Sequence, residues 1–343
     1  MHSDDLRPDQ GLHGVIFEVG TPLLQARLGA GSSMEIGRVI AYIRDLPDVA
    51  DWPEMNRLLD QWAERLAATW RLPGVVCQAL GADQAEAIPG AAAIACAHIA
   101  IILVDDMLDQ DPRGVYHEVG EGVAANLALA FQAAAFRCLE RAPVEAERRI
   151  ALLTALTDMV FRTALGQQLD ARPWGDETDY WRVLRTKSTP LYEAAFYFGA
   201  LLGRAAPGVA NRLRQLGVLM GEIVQLYDDL IDVFQATALP DWKRKWNNLA
   251  ILYALTVEHT ERDRFRALLD RIDDPTALEE AQAILVRSGA VSYCVYHIIQ
   301  RQQAAQELLK QIPLADTKSL MDVFIRQVEP LFRPWEFRSP GGS

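Results

Sequence analysis

The feature that most constrains this chain is the stretch from Ile88 to Val104, almost free of polar residues, which ends in Asp105-Asp106-x-x-Asp109. At 3.6 residues per turn, Asp105 and Asp109 stack on one helix face with Asp106 beside them. Three carboxylates at the end of an apolar helix repel one another and are costly to desolvate. A hard divalent cation relieves both penalties. Oxygen-only ligands suit Mg²⁺, which keeps several waters and binds substrate phosphates. The stretch approaches membrane-spanning length. It also contains Pro89 and His98, is rich in alanine, and runs into the aspartates. A buried helix against a cavity is therefore expected, with no membrane span.

The chain then repeats the device. Asp228-Asp229-x-x-Asp232 has the same spacing, again after an apolar helical stretch, and Gln225 lies one turn before Asp228 on the same face. One such motif is a weak signal, because helices often carry exposed aspartate pairs. Two in one helical chain point to a metal-diphosphate site. A third pair, Asp273-Asp274, precedes Pro275 and a helix and reads as an N-cap instead.

Half of the 343 residues are hydrophobic, alanine and leucine dominate, and β-branched stretches bounded by turns are scarce, so an all-α fold is expected. No low-complexity linker divides the chain. The expected organisation is a disordered 1–12, one helical domain over 13–335 and a tail over 336–343. Helices are expected at Met34–Leu46, Trp52–Trp70, Glu86–Leu108, Gly122–Arg141, Val144–Arg172, Trp181–Gly203, Val209–Phe234 and Asn248–His259. A short one is read at Val15–Leu28, before a flexible break at Gly29–Ser33, and four more follow toward the C-terminus. Arg71-Leu-Pro-Gly74 is read as a break, and Thr237–Asn248 as an irregular basic loop.

The net charge of −12 disfavours nucleic acid and anionic membranes as partners. Bound metal reverses the local sign at a carboxylate site, so an anionic substrate remains compatible. Cys77, Cys96, Cys138 and Cys294 lack metal-ligand spacing and read as buried, reduced thiols of a cytoplasmic protein. No basic region followed by an apolar core marks the N-terminus as a secretory signal.

Beyond the two clusters, Gly166-Gln-Gln-Leu-Asp170, Lys187-Ser-Thr-Pro-Leu-Tyr192 and Gly221-x-x-x-Gln225-x-x-Asp228-Asp229-x-x-Asp232 follow in order. In these blocks, from about residue 80 to about 255, the chain resembles the trans-isoprenyl diphosphate synthase superfamily. The resemblance implies a helical bundle of the isoprenoid synthase type, with two aspartate-rich helices facing each other across a central apolar cavity. It implies two or three Mg²⁺ ions held by Asp105, Asp106, Asp109, Asp228, Asp229 and Asp232. Asp105, Asp109, Asp228 and Lys187 are expected to carry the chemistry. Lys187, the first of only five lysines, is expected to contact the diphosphate as a point charge. Gln225, Gln167, Asp170, Arg113, His98 and Lys245 complete the expected substrate site, and a homodimer is the expected assembly. Tyr192, Phe196 and Tyr197 could face a carbocation through their rings, although core packing suits each of them singly.

The departures from the family pattern matter as much. Family members that elongate chains carry a Gly-Lys-Arg-x-Arg-Pro block, whose cations hold the diphosphate of isopentenyl diphosphate. This chain has Arg65-Leu-Ala-Ala-Thr-Trp70 there, leaving Arg65 and Arg71 as the only substitutes. Three readings follow: a terpene synthase that ionises farnesyl or geranylgeranyl diphosphate and lets an internal double bond attack, a head-to-tail prenyltransferase, and a non-catalytic synthase subunit. The sequence favours the first, and the intact clusters disfavour the third. Ala100 and Ile101, where bulky aromatics would stop the family's product at farnesyl length, leave the cavity floor open.

Overall fold

The computed structural model describes residues 36–172, 176–244 and 247–328, and every regular element among them is helical. In chain order these are α1 (Ile36–Arg44), α2 (Pro53–Ala79), α3 (Ile88–Asp109), α4 (Tyr116–Val119), α5 (Glu121–Glu140), α6 (Ala146–Asp170), α7 (Glu177–Lys187) and α8 (Thr189–Leu202). There follow α9 (Pro207–Val233), α10 (Pro240–Arg244), α11 (Leu249–Thr256), α12 (Arg262–Leu269), α13 (Pro275–Arg287), α14 (Ala290–Lys310) and α15 (Thr317–Val328). A 3₁₀ turn at Gln84–Ala87, capped by Asp83 on the Ala85 N–H, leads into α3. The readings for 1–12, Val15–Leu28, Gly29–Ser33 and the tail at 336–343 fall outside the described residues.

Two helices organise the bundle. The first, α3, is buried over nearly its whole length and packs against α1, α2, α5 and α8. It matches the apolar stretch expected from sequence and has no outward polar face because neighbours surround it. The second, α9, packs against α8 on one side and α14 on the other. Since α8 touches both α3 and α9, it sets their spacing. α3 and α5 are long and apolar enough to cross a membrane by length and composition alone, but α3 is almost entirely buried within the fold.

Two expected boundaries differ. Arg71-Leu-Pro-Gly74 does not break α2, which runs through Pro73 to Ala79. Proline costs a hydrogen bond there, but Trp70, Leu72, Pro73, Gly74 and Val76 are all buried. Gly199 of α8 packs onto the Pro73 backbone, where a Cβ would come within 2.4 Å of the Pro73 carbonyl oxygen. Packing thus overrides local propensity. Conversely, the single helix expected over Trp181–Gly203 is two, α7 and α8, broken at Ser188. Pro190 has no N–H to give the carbonyl one turn earlier. The basic loop also contains the short helix α10, whose Trp242 is fully buried against Phe265.

Candidate active site

The first cluster sits where α3 ends. Gln110 adopts the left-handed conformation (φ 54°) and its N–H returns to the Asp106 carbonyl, so the chain turns away just beyond Asp109. Asp105 is buried and meets α6 and α7. Gln167 Nε2 donates to Asp105 Oδ1 at 3.1 Å, and Lys187 Nζ lies 3.0 Å from the same oxygen. Lys187 also donates to Asp170 Oδ2 at 2.6 Å. Gly166 makes this junction possible: a Cβ there would come within 2.3 Å of the Lys187 backbone nitrogen. Helices α6 and α7 can approach so closely only because Gly166 has no side chain, and that approach brings Gln167, Asp170 and Lys187 together.

A cation that the sequence reading did not single out completes this cluster. Arg244, at the end of α10, donates from Nη2 to Asp109 Oδ1 at 2.7 Å, and its Nη1 lies 4.0 Å from Asp170 Oδ2. Asn247 Nδ2 donates to Asp170 Oδ1 at 2.7 Å. Burial alone would lower the Lys187 ammonium, but Asp105, Asp170 and Asp109 outweigh it and raise its pKa. Burial pushes the Asp105 carboxyl up, assisted by Asp109 and Asp170 and opposed by Lys187.

The second cluster, near the end of α9, is built differently. Gly217 and Gly221 bring α9 against the α8 backbone at Tyr192 and Thr189. The face they begin continues through Gln225, Asp228, Asp229 and Asp232 at helical spacing. Asp229 is fully engaged by the protein. Gln225 Nε2 donates to Oδ1 at 2.9 Å, while Tyr180 OH and the Leu249 N–H donate to Oδ2 at 2.7 and 3.0 Å. Ser188 Oγ donates to Gln225 Oε1 at 2.6 Å, which fixes the orientation of that amide. Asn248 caps α11 through the Ala250 N–H and donates to the Asp229 carbonyl, tying the loop to α9. Asp228 and Asp232 are buried, and Asp232 Oδ1 has no hydrogen-bond partner within the protein. Burial, then Asp241, Asp228 and Asp229, hold the Asp232 carboxyl well above its usual range. Burial likewise raises Asp229 to about 6 and, with Asp229 and Asp170, Asp241 to about 7.

One pocket, lined among others by Asp170, Lys187, Gln225, Asp232, Asp241 and Arg244, reaches the second cluster at Asp232 and touches the first through the cations that pair with Asp105 and Asp109. Other expected site residues lie elsewhere. Asp106 is half-buried against the loop at Gly114. Arg113 pairs with Asp111 through Nε and Nη2 at 2.8 and 2.5 Å, near enough to Asp232 to oppose its upward shift. His98 is fully buried and burial lowers its pKa to about 3, so it is a neutral imidazole rather than a cation. Arg65 is exposed and stacks over Trp62 at 5.4 Å, and Arg71 is half-buried. Phe196 belongs to the core against Phe324, Tyr197 lies under Arg214, and Tyr192 is buried near enough to Asp228 to feel its charge. Lys245 lies outside the described residues. Of the groups that sequence reasoning missed, Arg244 and Asn247 sit in a stretch legible only as basic and irregular. Tyr180 and Asn248 carry no motif.

Among the described residues, no three or more histidine, cysteine or acidic side chains converge into a preformed metal cage. The donor chemistry still fits a hard divalent cation. The two clusters present only carboxylate oxygens, and Asp232 keeps a buried oxygen without a donor. Asp105, Asp109, Asp228 and Asp232 would hold such an ion. Asp229, committed to Gln225, Tyr180 and Leu249, would orient the cluster from behind.

Comparison with known proteins accords with this geometry. A family model described as polyprenyl synthetase matches residues 72–286. The chain is 27% identical over 270 residues to a geranylfarnesyl diphosphate synthase of Aeropyrum pernix, covering 72% of this chain and 84% of that protein. It is 28% identical over 247 residues to a nonaprenyl diphosphate synthase of Mycobacterium tuberculosis, covering 67% and 72%. In fold it resembles a solved geranylgeranyl pyrophosphate synthetase of Pyrococcus horikoshii, with a TM-score of 0.75 at 18% identity over 92% of this chain and 97% of that one.

Proposed function

The chain belongs to the polyprenyl synthetase family, and from that premise we propose that it ionises an allylic prenyl diphosphate between its two aspartate clusters and transfers the prenyl group to isopentenyl diphosphate. The observation that carries the ionisation is that Lys187, Arg244 and Asp232 line one pocket, with Asp105 and Asp109 of the first cluster paired to those two cations. Bound Mg²⁺, in two or three ions, would supply the charge neutralisation that lets diphosphate depart. The protein's own groups do the positioning. Gln167 and Asp170 hold Lys187, Ser188 and Tyr180 hold Gln225 and Asp229, and burial keeps bulk water from the carboxylates. Ala100 and half-buried Ile101 provide no aromatic stop one turn before Asp105, which supports a farnesyl or geranylgeranyl substrate.

The relatives named above as prenyl diphosphate synthases support transfer as the first reading. A second reading, intramolecular attack to give a terpene, is favoured by one observation. The cations at the pocket, Lys187 and Arg244, are both engaged by first-cluster carboxylates and Asp170. Where the family has cations for a second diphosphate, this chain places Arg65 on Trp62 and buries Thr69. Incubation with each allylic diphosphate, with and without micromolar isopentenyl diphosphate, separates the two. A longer prenyl diphosphate formed only with isopentenyl diphosphate is the expected result. A hydrocarbon or alcohol formed without it would replace transfer by cyclisation.

A homodimer is supported by exposed apolar side chains on α5 and α6, where Leu129, Ile150 and Phe161 are 70%, 64% and 73% exposed. Such surface favours burial against a second copy, and Leu129→Glu with Phe161→Glu should yield a monomer by sedimentation. The four cysteines are buried and free of disulfides, as suits a reducing, cytoplasmic setting.

A further inference from the structure

Arg244 reaches from the α9 side of the pocket to Asp109 at the end of α3. Its helix, α10, is short, but Trp242 anchors it, fully buried against Phe265, and Asn248 fixes the following turn to the Asp229 carbonyl. The guanidinium is thus delivered by a docked segment. It lies between two carboxylates, bonded to Asp109 at 2.7 Å and 4.0 Å from Asp170. Asp170 is in turn held by Lys187 and Asn247 and cannot follow Asp109 if that side chain turns away. The Arg244 side chain is 30% exposed and lines the pocket, so it has room to move.

Asp109 has two claims on it: the Arg244 fork, and the divalent cation that the carboxylates of this cluster are suited to hold. A carboxylate oxygen hydrogen-bonded to a guanidinium is a poorer metal ligand, because the arginine's charge repels the incoming cation. When Asp109 turns to a metal ion, Arg244 loses its partner but keeps its anchorage. Its planar fork, 4.0 Å from Asp170 and lining the pocket, is then released to pair with the oxygens of a bound diphosphate, which that geometry matches in pairs.

We infer that Arg244 is an exchangeable counter-cation, which occupies Asp109 in the ligand-free protein and passes to the diphosphate when a divalent cation takes Asp109. The inference rests on the proposed function and adds to it a diphosphate-binding residue and an order of events. Metal binding and diphosphate binding are coupled through one side chain, so the substrate is gripped fully only after metal has displaced Arg244.

Titration calorimetry on the full chain tests this with MgCl₂ alone and with inorganic diphosphate in saturating MgCl₂, for wild type, Arg244→Gln and Arg244→Lys. The two affinities should move in opposite directions. Removing the competitor in Arg244→Gln should tighten Mg²⁺ binding about two- to fivefold, as expected for a partly exposed ion pair. It should weaken diphosphate binding at least about tenfold, the loss of one charge-assisted hydrogen bond. Arg244→Lys, which keeps the charge but not the fork, should fall between for diphosphate and remain near wild type for Mg²⁺. It serves as the test variant if Arg244→Gln does not fold. Unchanged diphosphate affinity in Arg244→Gln, or weaker Mg²⁺ binding, would overturn the inference and leave the proposed function standing. Wild type that binds no diphosphate in MgCl₂ would overturn both.

Discussion

The two aspartate clusters have the same spacing and opposite environments. At the first, Lys187 and Arg244 neutralise Asp105 and Asp109, with Gln167 as an added donor. At the second, Arg113 is near enough to Asp232 to oppose its upward shift. Asp229 is satisfied by neutral donors, and Asp232 retains an oxygen without one. Spacing on a helix therefore says which carboxylates share a face, whereas the neighbours decide which of them are already compensated. The first cluster carries its own counter-charge in Lys187 and Arg244, whereas Asp229 of the second is held by uncharged donors.

The sharpest way to break this contrast is to remove a carboxylate from each side. Asp105→Ala and Asp228→Ala should each lower turnover by about three orders of magnitude or more, since a metal ligand supplies several kcal/mol of transition-state stabilisation. Their stabilities should diverge. Loss of Asp105 deprives buried Lys187 of one of its two partners and should lower the melting temperature, whereas loss of Asp228 relieves repulsion around Asp232 and should preserve or raise it. Equal melting temperatures would remove the distinction between the clusters.

Lys187→Gln comes next. Breaking a buried pair costs about 3–5 kcal/mol because the remaining charges are left uncompensated, and denaturant unfolding of the metal-free protein should show a loss of that order. Gly166→Ala follows, at about 1–3 kcal/mol, because the new Cβ must push α6 and α7 apart at Lys187. An unchanged stability for Gly166→Ala would mean that the two helices can separate without loss.

The pH dependence separates the clusters more gently. Asp229, at about 6, Asp241, at about 7, and Asp232 all titrate above the usual carboxylate range in the folded chain. Raised carboxylates bind protons more tightly when folded, so each is least favourable at high pH and is relieved as the pH falls through its folded value. Lys187 is raised too, but it stays charged throughout this window and contributes no slope. The melting temperature of the metal-free protein should therefore rise as the pH drops from 8 to about 6.5, above the range in which buried His98, its pKa lowered to about 3, disfavours folding, and saturating Mg²⁺ should flatten the rise. A fall over this range without metal would contradict the reading of the second cluster. The smallest effect belongs to Asp274→Ala. Asp274 only caps α13 through the Thr276 N–H, so about 1 kcal/mol of stability and less than about a twofold change in turnover are expected.

How much of this was legible in the sequence follows from the range of the forces involved. The helices around both clusters, the burial of the apolar stretch and the N-cap at Asp273-Asp274 are local or periodic properties, and they appear close to where the residue pattern puts them. Continuity through Pro73 was not legible, because it depends on Gly199 of a distant helix. The break at Ser188 was, in retrospect, signalled by Pro190 two residues on. At the site, the blocks Gly166–Asp170 and Lys187–Tyr192 mark residues that do converge on the aspartates. The partner they find was not foreseen: Lys187, expected at the diphosphate, lies between Asp105 and Asp170. His98 and Arg113 matched the family's pattern in position, yet burial makes one neutral and Asp111 engages the other. Arg244 pairs with Asp109 across 135 residues of sequence, a separation at which only the fold supplies the contact.

The central claim, ionisation of an allylic diphosphate that requires a divalent cation, has one direct test. Release of inorganic diphosphate from farnesyl and geranylgeranyl diphosphate, each with isopentenyl diphosphate present and absent, is followed in Mg²⁺ and again in excess chelator. The account predicts release from at least one of these mixtures in Mg²⁺, falling to background in chelator and in Asp228→Ala. Release that continues undiminished in chelator would contradict it, as would no release from any mixture in Mg²⁺.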